Sequence, residues 1–386
     1  MDNYILVTAE KFGYGPIITC LNVIKQLKNE LYRQKLNIKL YFLGTSIAKE
    51  QAVLSNLFDK VIECKTYDYS ELEKQQQIFK DAVAVLSSEN QFGAIYAKRL
   101  GNKNVYFIDN LVWMWDRITS GLENIDGYFI SETFSSKENF QKIGKDVKSP
   151  IFIGPLRDID RKHYKSENSL MINFGGAESF MLDKEIVDKF YLKILKEILT
   201  TNVVKKFDTI YVCGGSGVID ALVKISLPFP NVKIKTLSNK EYLDKLHICS
   251  HVIMSSGLGN FMESVGIAKA IMFIPPINYS QLLQLNEYKK LDLGFNLVNW
   301  DSYSFYNDVP NLLDEETGVK MVVENVKKYL SDNSNILSNR VNEFINSQNQ
   351  NSYFAKRDIY ASKFSNNASE IVVNTILKGI KNENTK

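Results

Sequence analysis

His251-Val252-Ile253-Met254-Ser255-Ser256-Gly257-Leu258-Gly259-Asn260-Phe261-Met262-Glu263 decides the fold, together with the later Ala270-Ile271-Met272-Phe273-Ile274-Pro275-Pro276 and the amides Gln281, Gln284 and Asn286. It reads as one βαβα passage: an apolar strand over 251–256, a glycine-rich turn at Gly257 and Gly259, a helix carrying Glu263, a second strand over 270–275 and a polar helix start. A turn free of bulky side chains lets N–H groups at a helix start face a diphosphate, and the positive end of the helix dipole favours that charge. Glu263, set among Phe261, Met262 and Val265, is expected to be partly buried and therefore to need hydrogen-bond donors, which two ribose hydroxyls supply. Gln281, Gln284 and Asn286 have a plainer alternative as helix-start and surface amides.

Outward from this passage the chain alternates strand-like and helix-length segments. Strands are expected at 4–8, 39–43, 60–64, 82–87, 105–108 and 128–131, then at 170–174, 209–213, 233–237, 251–256 and 270–275. Helices are expected between them, among others over 17–31, 70–80 and 93–100. This is the pattern of two doubly wound α/β domains with parallel sheets. The charged, non-periodic stretch 157–169 reads as the linker, so the expected division is 1–152 and 153–351. The tail is purely helical in pattern, and 352–386 is expected to cross back onto the first domain. Two such domains in sequence leave a cleft at the carboxyl ends of their strands, where open α/β sheets take ligands.

Composition narrows the function classes. At 386 residues with 45% hydrophobic content, the chain can build two cores. A net charge of +3, with acidic and basic residues interspersed, argues against a nucleic-acid partner. Cys20, Cys64, Cys213 and Cys249 lie far apart with no CxxC spacing, which fits free thiols in a reducing cytoplasm. No leader pattern opens the chain, and no run approaches the roughly 20 apolar residues of a membrane span. A soluble cytoplasmic protein is expected. No His/Asp/Glu cluster has metal-ligand spacing, and His163, His247 and His251 do not look catalytic.

Three more glycine-bearing turns follow strands. Gly175-Gly176-Ala177-Glu178 and Gly214-Gly215-Ser216-Gly217 open at the same sheet edge as the turn at 255–259, and either serves a tight turn as well as a ligand. Gly13-Tyr14-Gly15-Pro16 lies between the first strand and first helix, with Pro16 suited to the first helical turn; a purely structural turn is the alternative. Asp109 and Asn110 end the strand at 105–108. Asp109 caps a loop or serves as a general base whose pKa burial raises toward working pH. Trp113 and Trp115 are core, or form with Phe12 and Tyr14 a stacking surface for a planar acceptor.

Together these residues resemble the two-domain GT-B glycosyltransferases, in particular the branch of the UDP-glycosyltransferases and the N-acetylglucosaminyltransferase of peptidoglycan lipid synthesis. The resemblance covers nearly the whole chain. Its most specific part is Ser255-Ser256-Gly257 with Glu263, Pro275-Pro276 and the Gln281, Gln284, Asn286 series. It implies a UDP-sugar as co-substrate, with no other cofactor and no metal. It also implies that Ser256, Gly257, Leu258, Gly259 and Asn260 hold the diphosphate with help from Gly175, Gly176, Gly214 and Gly215. Glu263 takes the ribose, Gln281 and Gln284 the sugar, and residues 237–241 lie beside the base. Gly13, Tyr14, Gly15, Asn110 and Trp113 face a small-molecule acceptor.

Many relatives carry His directly after the second glycine of the first loop, where this chain has Pro16. Asp109 is therefore the expected replacement base, with Glu10 second. The Gly-Tyr-Gly-Pro loop and the run from Ile108 to Trp115 also resemble cytosylglucuronate-synthase-like enzymes, which implies a flat, nucleobase-like acceptor. The expected reaction is metal-independent, inverting transfer, with domain closure excluding water. A nucleotide-sugar 2-epimerase on the same fold and a non-catalytic nucleotide-sugar-binding partner of another transferase are the alternatives. A homodimer is compatible with either.

Overall fold

The computed structural model describes residues 3–157, 159, 164–177, 183–225, 229–267, 269–347, 351–364 and 367–384. His163 and Glu178 lie outside the described residues. The chain forms two compact units, Met1–Asp158 with Phe364–Lys386, and Ile159–Lys363. The division falls a few residues after the expected 152, and the return to the first unit comes at 364 rather than 352.

The first unit carries seven parallel strands: β1 (Tyr4–Ala9), β2 (Lys39–Gly44), β3 (Lys60–Glu63), β4 (Ala84–Ser88), β5 (Val105–Asp109), β6 (Gly127–Ser131) and β7 (Pro150–Ile153), in the order β3-β2-β1-β4-β5-β6-β7. β1 alternates its side chains between two cores. Ile5, Val7 and Ala9 pack with the helix Gly15–Arg33 on one face, while Tyr4 and Leu6 pack with Val85, Phe107 and Ile130 on the other. A strand covered on both faces is apolar at nearly every position, which is why it reads as a run, and its buried Thr8 donates to Ser87 Oγ (2.9 Å). The final helix, Ala368–Asn384, lays Ala368, Val372, Val373, Ile376 and Leu377 against the Gly15–Arg33 side of this sheet.

β7 was not expected as a strand. Pro150 has no N–H to donate, and it stands as the first residue of an edge strand, where that loss is tolerated. The single helix expected over 70–80 is two, Tyr69–Lys74 and Gln76–Asp81, broken at Gln75.

The second unit carries six parallel strands: β8 (Glu167–Asn173), β9 (Thr209–Cys213), β10 (Val232–Ile234), β11 (Cys249–Met254), β12 (Ala270–Phe273) and β13 (Asn296–Leu297), in the order β10-β9-β8-β11-β12-β13. β13 pairs over only two residues, too few for a periodic signal. The helix Asn351–Ala361 belongs to this unit. Arg357 on it is 1% exposed and donates to the carbonyls of Leu293 (2.9 Å), Lys269 (2.8 Å) and Gly294 (3.0 Å), with its guanidinium 4.2 Å from the centre of the Phe295 ring. Tyr360 on the same helix meets Phe261. All four cysteines are buried and free. Among the described residues no helix is long and apolar enough to cross a membrane.

Candidate functional site

Strand order reverses between β1 and β4 in the first sheet and between β8 and β11 in the second. Such switch points open a crevice at the carboxyl ends of the strands.

In the second unit Met254 pairs with Asn173 and with Phe273, and Asn173 pairs with Cys213, so the turns after β8, β9, β11 and β12 begin level with one another. The Ser255 N–H donates to the Asn173 carbonyl (2.9 Å), the Phe174 N–H to the Cys213 carbonyl (2.9 Å), and the Gly215 N–H to the Gly175 carbonyl (2.8 Å). The sequence-predicted glycine turns are thus brought together, for two different reasons. Gly175 has φ +66°, and a Cβ there would meet Ser255 Oγ at 2.8 Å; a Cβ on Gly215 would meet the Gly176 carbonyl oxygen at 2.3 Å, and one on Gly214 the Gly175 oxygen at 3.2 Å. Packing around the two loops thus gives Gly175, Gly214 and Gly215 a structural reason of their own, the tight-turn alternative for these positions.

Gly257 differs. Its φ of −60° suits any residue, and a Cβ there would have no heavy atom within 4 Å. It precedes the helix Leu258–Val265, whose first turn receives no side-chain cap. The N–H groups of Leu258 and Gly259 open this helix, so they have no partner within it. Glu263, one turn on, is 7% exposed. Ser256 is fully buried; its hydroxyl donates to the Gln281 carbonyl (3.2 Å), and its own carbonyl accepts from the Tyr288 hydroxyl (2.9 Å). These bonds fasten the turn to the helix Tyr279–Leu291, which Asn278 caps by accepting from the Gln281 N–H (2.9 Å). Gln281 turns its side-chain oxygen back to the Ile277 N–H (3.2 Å), and Asn286 accepts from Asn299 (3.0 Å). Gln284 is 3% exposed, and its Oε1 is buried without a hydrogen-bond partner among the described residues. An orphaned buried acceptor is costly and marks a place for a donor from a ligand.

In the first unit Ala9 pairs with Ser88, and Ser88 with Ile108, so Glu10 and Glu89, just past β1 and β4, stand level with Asp109, the last residue of β5. Asp109 is 2% exposed. Its Oδ1 accepts from the Leu111 N–H (2.8 Å), its Oδ2 from the Tyr128 hydroxyl (2.6 Å), and the Trp115 indole N–H lies 3.2 Å from both. Burial nevertheless raises its pKa, and those hydrogen bonds only partly offset the rise. A carboxylate so enclosed anchors the loop after β5, which is the loop-capping alternative for Asp109.

Glu10 is half-buried just beyond β1. The Lys11 N–H donates to its Oε1 (2.9 Å) and Asn90 approaches its Oε2 at 3.5 Å. Burial raises its pKa, opposed by the Lys11 N–H and ammonium. Glu89 sits in the left-handed region at φ +54° and accepts from the Asn110 N–H (2.5 Å) and side-chain amide (3.0 Å). Trp113 is 7% exposed and packs edge-on against Phe134, which is the core alternative for this residue. Tyr14 begins the helix Gly15–Arg33, and the Gly15 carbonyl accepts from Arg157 (2.9 Å). Gly13 has φ +66°, and an added Cβ at Gly13 or Gly15 would meet nothing within 4 Å. Among the described residues no group of three or more His, Cys, Asp or Glu is placed to hold a metal ion.

Sequence reasoning missed Glu89, Asn173 and Tyr242. Glu89 and Asn173 each sit at the carboxyl end of a strand beside a switch point, a signal available once strand order is known.

No family model and no curated protein matches the sequence. Among solved structures, the chain is similar to MnaA of S. aureus in co-structure with UDP (TM-score 0.56, 12% identity, 97% of this chain and 96% of that one). It is similar to UGT89C1 of Arabidopsis thaliana complexed with UDP (TM-score 0.52, 11% identity, 94% and 99%). It is also similar to a Listeria monocytogenes protein assigned as UDP-N-acetylglucosamine 2-epimerase (TM-score 0.52, 13% identity, 93% and 95%). These likenesses establish the class of architecture: the chain has the GT-B fold, two Rossmann-like domains in succession.

Proposed function

We propose that the protein is a glycosyltransferase that takes a sugar from a nucleoside diphosphate donor, UDP in the first instance, and passes it to a small acceptor. The carrying observation is the uncapped helix start at Gly257, a glycine that neither its φ nor its packing requires, with buried Glu263 one turn away. In this reading the N–H groups of Leu258 and Gly259 take the diphosphate and stabilise it as it departs, Glu263 accepts from the ribose hydroxyls, and Gln284 accepts from a sugar hydroxyl. The helix dipole and main-chain amides supply the charge stabilisation, so the reading calls for no metal. That UGT89C1 and MnaA were both solved with UDP supports the choice of nucleotide.

The acceptor belongs to the first unit, and Glu10 is the base. It keeps a half-buried carboxylate whose Oε2 has only a long 3.5 Å contact from Asn90, whereas both Asp109 oxygens accept shorter bonds, 2.8 Å from Leu111 and 2.6 Å from Tyr128. Partial burial brings its pKa closer to working pH, which favours proton abstraction from a hydroxyl or ring N–H. The open glycines 13 and 15 leave space beside it.

The second reading is a nucleotide-sugar 2-epimerase. It is favoured by Glu10 and Glu89 standing level just past neighbouring strands, since epimerisation needs acid and base groups about one sugar. Incubating the protein with UDP-N-acetylglucosamine alone separates the two. Appearance of an isomeric sugar nucleotide selects the epimerase, and slow release of UDP and free sugar selects the transferase. Failure of UDP, dTDP and GDP alike to raise the melting temperature overturns both.

A further inference from the structure

We propose that Asn260 is a positioning residue that locks together the two turns flanking the second switch point and the helix Asn239–Ile248, and does so without touching the donor. The inference rests on the donor reading above and adds to it how the turn is held.

The Asn260 carboxamide has two N–H groups and an oxygen with two lone pairs, and all four valences are used. Its Nδ2 donates to the Ser255 carbonyl (2.9 Å) and to Ser255 Oγ (3.2 Å). Its Oδ1 accepts from Asn173 Nδ2 (3.2 Å) and from the Tyr242 hydroxyl (3.2 Å). Asn173, at the end of β8 and 5% exposed, in turn accepts the Gly175 N–H on its Oδ1 (2.9 Å), while its carbonyl accepts the Ser255 N–H (2.9 Å). One amide therefore joins the turn after β8, the turn after β11 and the helix bearing Tyr242. That helix is fixed at its start by a capping box, Ser238 with Glu241. A saturated side chain has nothing left to offer a phosphate. Its effect on a bound nucleotide must pass through the turn that it braces, in the way outer-layer partners orient the groups that do make contact.

The consequence is coupling. Asn173 and Tyr242 meet through Asn260, so in nucleotide binding their effects should not be independent while it is present. The test is titration calorimetry with UDP on the wild-type chain, Asn260→Ala, Tyr242→Phe, Asn173→Ala and the Asn173→Ala/Tyr242→Phe double variant, the last three repeated on the Asn260→Ala background. Thermal unfolding of each variant is recorded alongside. Asn260→Ala should weaken UDP by about tenfold or more. Asn173→Ala and Tyr242→Phe should be non-additive in the wild-type background and additive without Asn260, a change that a general loss of stability would not produce.

Wild-type protein that binds neither UDP nor the alternates dTDP and GDP overturns the donor reading, and this inference with it. Wild-type protein that binds, while Asn260→Ala and Tyr242→Phe bind as tightly, overturns the positioning role alone. So does additivity of Asn173→Ala and Tyr242→Phe in the wild-type background. Should Asn260→Ala fail to fold, the Asn173/Tyr242 cycle carries the test: non-additivity supports the relay, and additivity or unchanged affinity overturns it.

Discussion

The Tyr128 hydroxyl on β6 donates to Asp109 Oδ2 on β5 at 2.6 Å, closing a carboxylate that Leu111 and Trp115 already hold. Burial raises the Asp109 pKa, so the folded protein keeps a proton that the unfolded chain releases. The associated stability is present in acid and is lost as pH rises through the raised value. Asp109→Asn cannot titrate. Its unfolding free energy, measured in urea across the acidic range, should lose that downward slope with pH; an unchanged slope would assign the slope to other groups.

Glu10→Gln should reduce turnover by about 10²- to 10⁴-fold while donor affinity stays near wild type. Asp109→Asn, compared per folded molecule, should lose far less. Because Glu10 must be ionised to accept a proton and burial raises its pKa, the rate should fall on acidification along a limb lying above the ordinary glutamate range. Equal losses in the two variants would return Asp109 to the role of base.

Two glycines separate packing from binding. In Gly215→Ala the new methyl meets the Gly176 carbonyl oxygen at 2.3 Å, and the expected cost in stability is about 1–3 kcal/mol. Gly257→Ala meets nothing within 4 Å, so its stability should stay within about 0.5 kcal/mol of wild type. Its UDP affinity should nevertheless drop, because the methyl occupies space reserved for the diphosphate. Denaturant melts paired with UDP titrations decide the matter, and normal UDP binding by Gly257→Ala would remove the donor from this turn.

Arg357→Met keeps a long side chain in place but leaves the carbonyls of Leu293, Lys269 and Gly294 without their donor. Each buried acceptor so orphaned costs on the order of 1 kcal/mol or more, giving a loss of at least about 3 kcal/mol by chemical denaturation. A change below about 1 kcal/mol would mean that water replaces the guanidinium.

Local pattern was enough for the architecture. Continuous apolar runs alternating with helix-period segments specify parallel strands covered on both faces, and each of the eleven expected runs holds a strand, the central ones most plainly because burial on both faces makes nearly every position apolar. The glycine turn at Gly257 and the burial of Glu263 were equally visible, since a glycine turn and a carboxylate within an apolar helix are features of neighbouring residues. β13 escaped because two residues show no period, and the edge strand at 150–153 because it opens on a proline, which reads as a break in a strand. What tertiary structure alone decided was the use of each polar group. Asp109 and Glu10 both look like free carboxylates at strand ends, yet Tyr128 and Trp115 arrive from later in the chain to close the first, while the second takes only the Lys11 N–H and a long contact from Asn90. Gly215 is demanded by a carbonyl thirty-nine positions away in sequence, and Asn260 is saturated by Asn173 and Tyr242. Hydrogen-bond valence is filled by whatever the fold brings within about 3 Å, and sequence spacing carries no record of that.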